Sequence, residues 1–265
     1  MTKYIKVFFL LIAVIFSGAA HKVMGQDPEF SQFYANPLYL NPAFAGTARC
    51  PRISLNYRNQ WPGIPSTYVT YSASYDQYVD ALSGGIGLQA YHDRQGTGII
   101  QTNSVSGMYA YQVALDRNIS FKAGIQATYY QKAIDWDQLT FGDMIDARYG
   151  FIYPTGEVPI DEPVNKLDFS AGGLLFTQTF YLGFATHHLF QPNESFFKSA
   201  ESRLPRKYTA HAGAVIPLDK ANPEDGSISP NIIYQSQGEF NHLNLGLYLN
   251  KGPITGGVWY RWDDD

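Results

Sequence analysis

Four carboxylates crowd one stretch, IDWDQLTFGDMID, as Asp135, Asp137, Asp143 and Asp146. Carboxylates this close could form an acid/base pair, or an oxygen site for a hard cation such as calcium. Trp136 and Phe141 interleave with them, which reads better as a loop stiffened by its own side chains. Three histidines invite a second reading, His187-His188 and His211. They lack ligand spacing and a cysteine partner, so no metal site is assigned. His211 shares a face with Thr209 and Gly213, and its strand supplies no serine for a Ser-His hydrolase. Gly84, Gly85 and Gly87 lack phosphate-loop spacing and suit close packing inside a strand. Arg58 and Arg261 fall on polar faces, where hydrogen bonding inside the fold is their expected role. No catalytic, cofactor-binding or metal-binding residue emerges, and the expectation is a protein that is not an enzyme and holds no cofactor.

The elements that must carry these residues are written in the composition. Charged residues make up 16%, against roughly 25% in ordinary soluble domains. Aromatics reach 15%, with 20 Tyr and 17 Phe beside 24 Gly. Mean hydropathy is −0.22, and beyond position 25 no apolar run approaches the ~18 residues of a spanning helix. A net charge of −4 without a basic stripe argues against nucleic acid as a partner. Cys50 is the only cysteine, so no intramolecular disulfide forms, and it is expected to be buried or merely tolerated.

The start of the chain carries Lys3 and Lys6, the apolar run Val7 to Phe16, then small residues, with Val23 and Gly25 placed before a cut at Gln26. Residues 1–25 read as a cleaved secretory signal, since an apolar core of about ten residues is too short to anchor the chain. Residues 26–51 follow as an N-terminal segment, and 52–265 carry the fold.

That fold is read from a period of two. Ile119, Phe121, Ala123, Ile125, Ala127 and Tyr129 alternate with Ser120, Lys122, Gly124, Gln126, Thr128 and Tyr130. Leu243, Leu245, Leu247 and Leu249 alternate with His242, Asn244, Gly246 and Tyr248. These are strands with unlike faces. The polar face is mostly Ser, Thr, Asn, Gln, Gly and Tyr, as in Tyr68, Thr70, Ser72 and Ser74. A soluble β-sandwich would carry Lys and Glu there, whereas small uncharged groups fit the crowded inside of a barrel. The predicted class is an all-β antiparallel transmembrane β-barrel of the outer-membrane type. Eleven strands are expected, at 52–60, 67–76, 84–92, 100–113, 119–131, 167–176, 180–187, 206–217, 228–237, 241–250 and 254–262. With a periplasmic N-terminus, the long links 132–166 and 188–205 fall outside the cell and most short turns fall inside.

Four stretches in order, DPEFSQFYANPLYLNPAFAGT, YRNQWPGIP, IDWDQLTFGDMID and HHLFQP with RLPRKYTAHAG, resemble the PorP/SprF family of type IX secretion system outer-membrane proteins of Bacteroidetes. The resemblance runs from Asp27 to Trp262. It implies a barrel of about fourteen strands, non-enzymatic work in protein secretion and gliding motility, and partners among secreted adhesins and the periplasmic secretion machinery. Family members usually continue past the point where WYRWDDD ends, so the barrel is expected to be truncated before closure and unable to insert stably alone. A fatty-acid channel is the alternative, because its N-terminal plug also carries an Asn-Pro-Ala, like Asn41-Pro42-Ala43. The aromatic N-terminal stretch, 26–51, is expected to be a plug or periplasmic segment, packed in the lumen or against its periplasmic rim through Phe33, Tyr34, Asn36 and Asn41. Trp61, Trp136 and Asp143 are the expected partner-facing loop residues.

Overall fold

The computed structural model describes residues 27–30, 32–48, 50–63, 67–157, 162–197, 201–219, 222 and 225–264. The expected signal, 1–25, lies outside the described residues. Three single turns open the chain, at Phe33–Ala35, Pro37–Leu40 and Pro42–Phe44. The strands follow as β1 (Arg52–Gln60), β2 (Tyr68–Val79), β3 (Gly84–Gln95), β4 (Ile100–Ala114), β5 (Ser120–Ile134), β6 (Ile145–Asp146), β7 (Gly150–Phe151), β8 (Val164–Phe176), β9 (Phe180–His187), β10 (Lys207–Ala214), β11 (Ile216–Pro217), β12 (Gly226–Gln237), β13 (Phe240–Lys251) and β14 (Ile254–Asp264).

Each long strand pairs antiparallel with the next, in the order β1-β2-β3-β4-β5-β8-β9-β10-β12-β13-β14, with β11 on β12. Among the described residues no ladder joins β1 to β14, so the architecture is an unclosed antiparallel barrel. The eleven expected strands are all present. The one expected at 206–217 differs in detail: it breaks at Val215, whose N–H turns to Thr179 O at 2.6 Å, and resumes as β11. The β6–β7 hairpin inside the longest link was not expected. It arises where Asp146 accepts from the backbone N–H groups of Arg148 and Tyr149 and closes a turn.

The sheet is inverted relative to a soluble protein. Leu55 is 76% exposed, Ile53 and Val258 71%, whereas Lys122 and Thr209 are 0% exposed. A soluble sandwich would bury the first set. Each large apolar side chain left in water costs roughly 1.5–3 kcal/mol, and a whole outer face of them requires lipid. Among the described residues no helix is long and apolar enough to cross a membrane, which leaves the strands to do so.

The inner face is buried by the N-terminal segment. It lies directly on three inward-facing glycines of three strands, with its backbone on two and the Asn41 amide on the third. A Cβ on Gly85 (β3) would stand 2.0 Å from Ala45 O, one on Gly124 (β5) 2.4 Å from Ala43 N, and one on Gly172 (β8) 2.1 Å from Asn41 Oδ1. Gly46, at φ +64°, makes the turn that completes this contact. Leu38 and Ala45 then pack with Met108 and Ala110 of β4, and Leu40 packs with Ile233 of β12.

Gly85→Ala and Gly124→Ala are therefore expected to destabilise the folded protein by on the order of 1–3 kcal/mol through overpacking. Gly107→Ala, where the added carbon meets nothing within 4 Å, should be near neutral. Urea unfolding of the three variants in detergent checks this, and equal midpoints would contradict the close approach.

Candidate functional site

The site is the interior of the curled sheet with the segment that fills it, together with the long links at one rim. Two Asn-Pro pairs shape the segment. Each proline fixes φ at the first position of a helical turn and keeps the preceding Asn out of helical geometry. Asn41, at φ −158° and ψ 123°, caps the turn Pro42–Phe44, its Oδ1 accepting from Ala43 N at 2.9 Å. That bond fixes the amide orientation, so Nδ2 faces the wall. There it meets Gly173 O at 3.2 Å, Phe184 O at 3.3 Å and His211 Nε2 at 3.0 Å. An amide nitrogen can only donate, so His211 Nε2 accepts and the neutral ring carries its proton on Nδ1. Phe44 stacks on the same imidazole at 4.9 Å, with Tyr181 on it at 5.8 Å. His211 thus serves as a packed hydrogen-bond acceptor.

Asn36 does not cap its own turn. It donates to Ser72 Oγ at 3.2 Å and accepts from Gln89 Nε2 at 2.9 Å. Asn36 and Asn41 are 1% and 0% exposed. Tyr34 is half-exposed and meets Tyr248 and Trp259, near the open edge of the sheet. Phe33 opens the first turn, and its side chain lies outside what is described.

Charges hold both ends of the segment. Towards the rim of short turns, Gly46 N donates to Asp76 Oδ2 at 2.8 Å, and Arg52 grips the same carboxylate at 2.8 and 3.0 Å. Lys122, fully buried, donates to Ala45 O at 2.6 Å. At the opposite rim stand Asp27 and Glu29, which the sequence reading had not singled out. Asp27 Oδ2 lies 2.8 Å from His188 Nε2 and 3.9 Å from Lys207 Nζ. Glu29 accepts from Arg261 at 2.9 Å and stands 3.6 Å from His242, while its backbone carbonyl accepts from Arg58. Arg58 is on β1 and Arg261 on β14, so one residue ties together the two edges that no ladder joins. The available signal was that Asp27 and Glu29 are the last charges before a long uncharged stretch, and so the natural partners for cations on the inner face.

The residues expected to face partners lie at this second rim. Trp61, at φ 57°, is exposed and edges onto Tyr68 at 5.7 Å. Trp136 stacks on Phe141 at 5.9 Å. Asp143 accepts from Gly156 N at 2.6 Å and from Thr155 Oγ1, and the Gly156 N–H holds its carboxyl below the usual range. Asp146 is held low in the same way by Arg148 N–H, then Tyr153 and Tyr149. These carboxylates brace the loop, while Ile145, Tyr149, Phe151, Ile152 and Tyr153 are exposed beside them. Cys50 is exposed.

His188 sits past the end of β9 with Asp168 Oδ2 on Nδ1 at 2.6 Å and Asp27 on Nε2. Two acceptors require both ring nitrogens to donate, which is the imidazolium. Burial opposes the charge, but Asp27 and Asp168 outweigh it and raise the pKa from 6.5 to about 10. Asp27 is driven below the carboxylate range, since His188 and Lys207 outweigh the burial that would raise it. A raised cation contributes its full stability below 6.5 and loses it as pH rises through about 10. His188→Gln is expected to reduce the fall in urea midpoint across that window. Parallel pH profiles for the two proteins would contradict the pairing.

Comparison with curated proteins gives no match. A family model described as type IX secretion system membrane protein PorP/SprF matches residues 23–265. That range takes in the whole segment and every strand laid out above, and the chain belongs to the PorP/SprF family of type IX secretion system membrane proteins.

Proposed function

We propose that this protein is a non-enzymatic component of the outer membrane that anchors or displays secreted adhesins at the cell surface and takes part in gliding motility. It reaches that membrane behind a signal, residues 1–25, that is removed on export. Residues 27–47 act as a plug, and the long links at the rim of Trp61, Trp136 and Asp143 receive the cargo. The periplasmic secretion machinery meets the opposite rim. The observation that carries this reading is the filled interior. With Asn36, Leu38, Asn41 and Ala45 buried against the wall, the inside serves as a packed core, and the exposed chemistry is concentrated in braced aromatic loops.

A channel for hydrophobic solutes is the alternative, supported by Asn41-Pro42-Ala43 in the plug. It predicts protein-dependent uptake of a labelled fatty acid into vesicles, where the anchor predicts none.

Two outcomes are expected. Replacing residues 136–157 by a Gly-Ser linker should leave the protein in the membrane and abolish surface adhesin, read by antibody on intact cells. Unchanged adhesin would overturn the cargo role of the loop. In a Cys50→Ser background, Asn36→Cys with Ser72→Cys should form a disulfide on mild oxidation, because the two side chains are bonded at 3.2 Å. Free labelling of both thiols, with no disulfide, would count against the plug.

A further inference from the structure

The outer end of the N-terminal segment is bound the way a foreign peptide would be bound. Four cationic or protonatable groups from four parts of the wall converge on two carboxylates two residues apart, and a fifth meets the backbone beside them. Asp27 takes His188 and Lys207, and Glu29 takes Arg261 and His242 on its side chain and Arg58 on its carbonyl. Gln237 Oε1 accepts from the backbone N–H of Asp27 at 3.1 Å. Phe30, next in the chain, is buried and edges onto Tyr39 at 5.1 Å. The ring of Tyr39 lies under Lys207, at 5.1 Å, and its hydroxyl donates to Pro28 O at 2.6 Å. Acid, backbone, acid and aromatic are each met by a group of matching chemistry.

Asp27 and Pro28 also form a partition. Both line a small cavity of about 70 Å³ against β3, β4, β5 and β8, and both line an open cleft of about 500 Å³ between β1 and β13–β14. Lifting residues 27–29 would join the two and expose Arg58, Arg261, Lys207 and His188 together. Asp93 lines both spaces, and Asp168 and Glu194 line the small one, so the cations of the clasp face a joined space of mixed charge.

We infer that this cradle is a binding site for an acidic peptide of the pattern Asp-x-Glu-aromatic, occupied in cis by residues 27–30 and open to such a peptide in trans when they are displaced. Charge-assisted hydrogen bonds supply the recognition, and the spacing of the two acids supplies the register. The cis segment competes at high effective concentration, so a free peptide meets a mostly filled site. The cradle is independent of the adhesin reading, because purified protein suffices to test it.

The probe is a fluorescent peptide of sequence DPEFSQFY, added to the folded protein in detergent, with NPQFSQFY as its neutral counterpart. Asp27→Asn/Glu29→Gln should bind the acidic peptide at least tenfold more tightly than the unaltered chain does, and Arg261→Gln added to that variant should remove the gain. Equal binding of both peptides, or of both proteins, would overturn the site. Should the double variant fail to fold, Pro28→Cys in a Cys50→Ser background keeps both acids and gives a second reading. Excess acidic peptide should raise its thiol-labelling rate severalfold and the neutral peptide should not. Labelling that is indifferent to the acidic peptide would overturn the proposal.

Discussion

Close contact between residues 41–46 and the inward glycines of β3, β5 and β8, through backbone at the first two and the Asn41 amide at the third, is the constraint on which the rest depends. A sheet that turns its Leu, Ile, Val and aromatic residues toward lipid has little apolar surface left for its inside. Its interior must therefore be closed by hydrogen bonds and close packing, and both need the segment near the wall. A buried polar group without a partner costs about 1–3 kcal/mol. Asn41, Asn36 and Lys122 each spend their bonds across that contact. Gly85, Gly124 and Gly172 are where the missing side chains make the approach possible.

The same contact sets the direction of the chain. From Thr47 the protein enters β1 at the rim of short turns, beside Asp76 and Arg52. Asp27 lies at the far rim, beside His188 and Gln237. The segment therefore runs the length of the interior, packed by apolar groups and Asn at its inner end and clasped by charges at its outer end. Glu29 adds a role that neither β1 nor β14 can fill for the other, since it bonds to Arg58 and Arg261 across the unpaired edges.

Much of this architecture was legible in the sequence because alternation is a local signal. Thr70, Ser72 and Ser74 opposite Tyr71 and Ala73 reveal both the strand and which face is buried. The two prolines likewise revealed that no long helix could form between Asn36 and Ala45. Long-range partners were not legible. Nothing near Asp27 in the chain announces His188, which lies 161 positions away, and Glu29 meets Arg261 across 232. Tyr34 was readable as an aromatic needing cover, but its place against Tyr248 and Trp259 depends on how far the sheet curls, which no local pattern encodes. The β6–β7 hairpin escaped because two-residue strands are too short to show a period.

Amide hydrogen exchange of the folded protein tests the central claim most directly. The N–H groups of Ala43 and Gly46 bond to Asn41 Oδ1 and Asp76 Oδ2 inside the sheet. If the segment is the core, they exchange as slowly as the strand amides of β4 and β5, and Gly124→Ala accelerates both. Exchange of Ala43 and Gly46 at the rate of an unstructured chain, while β4 and β5 stay protected, would contradict it.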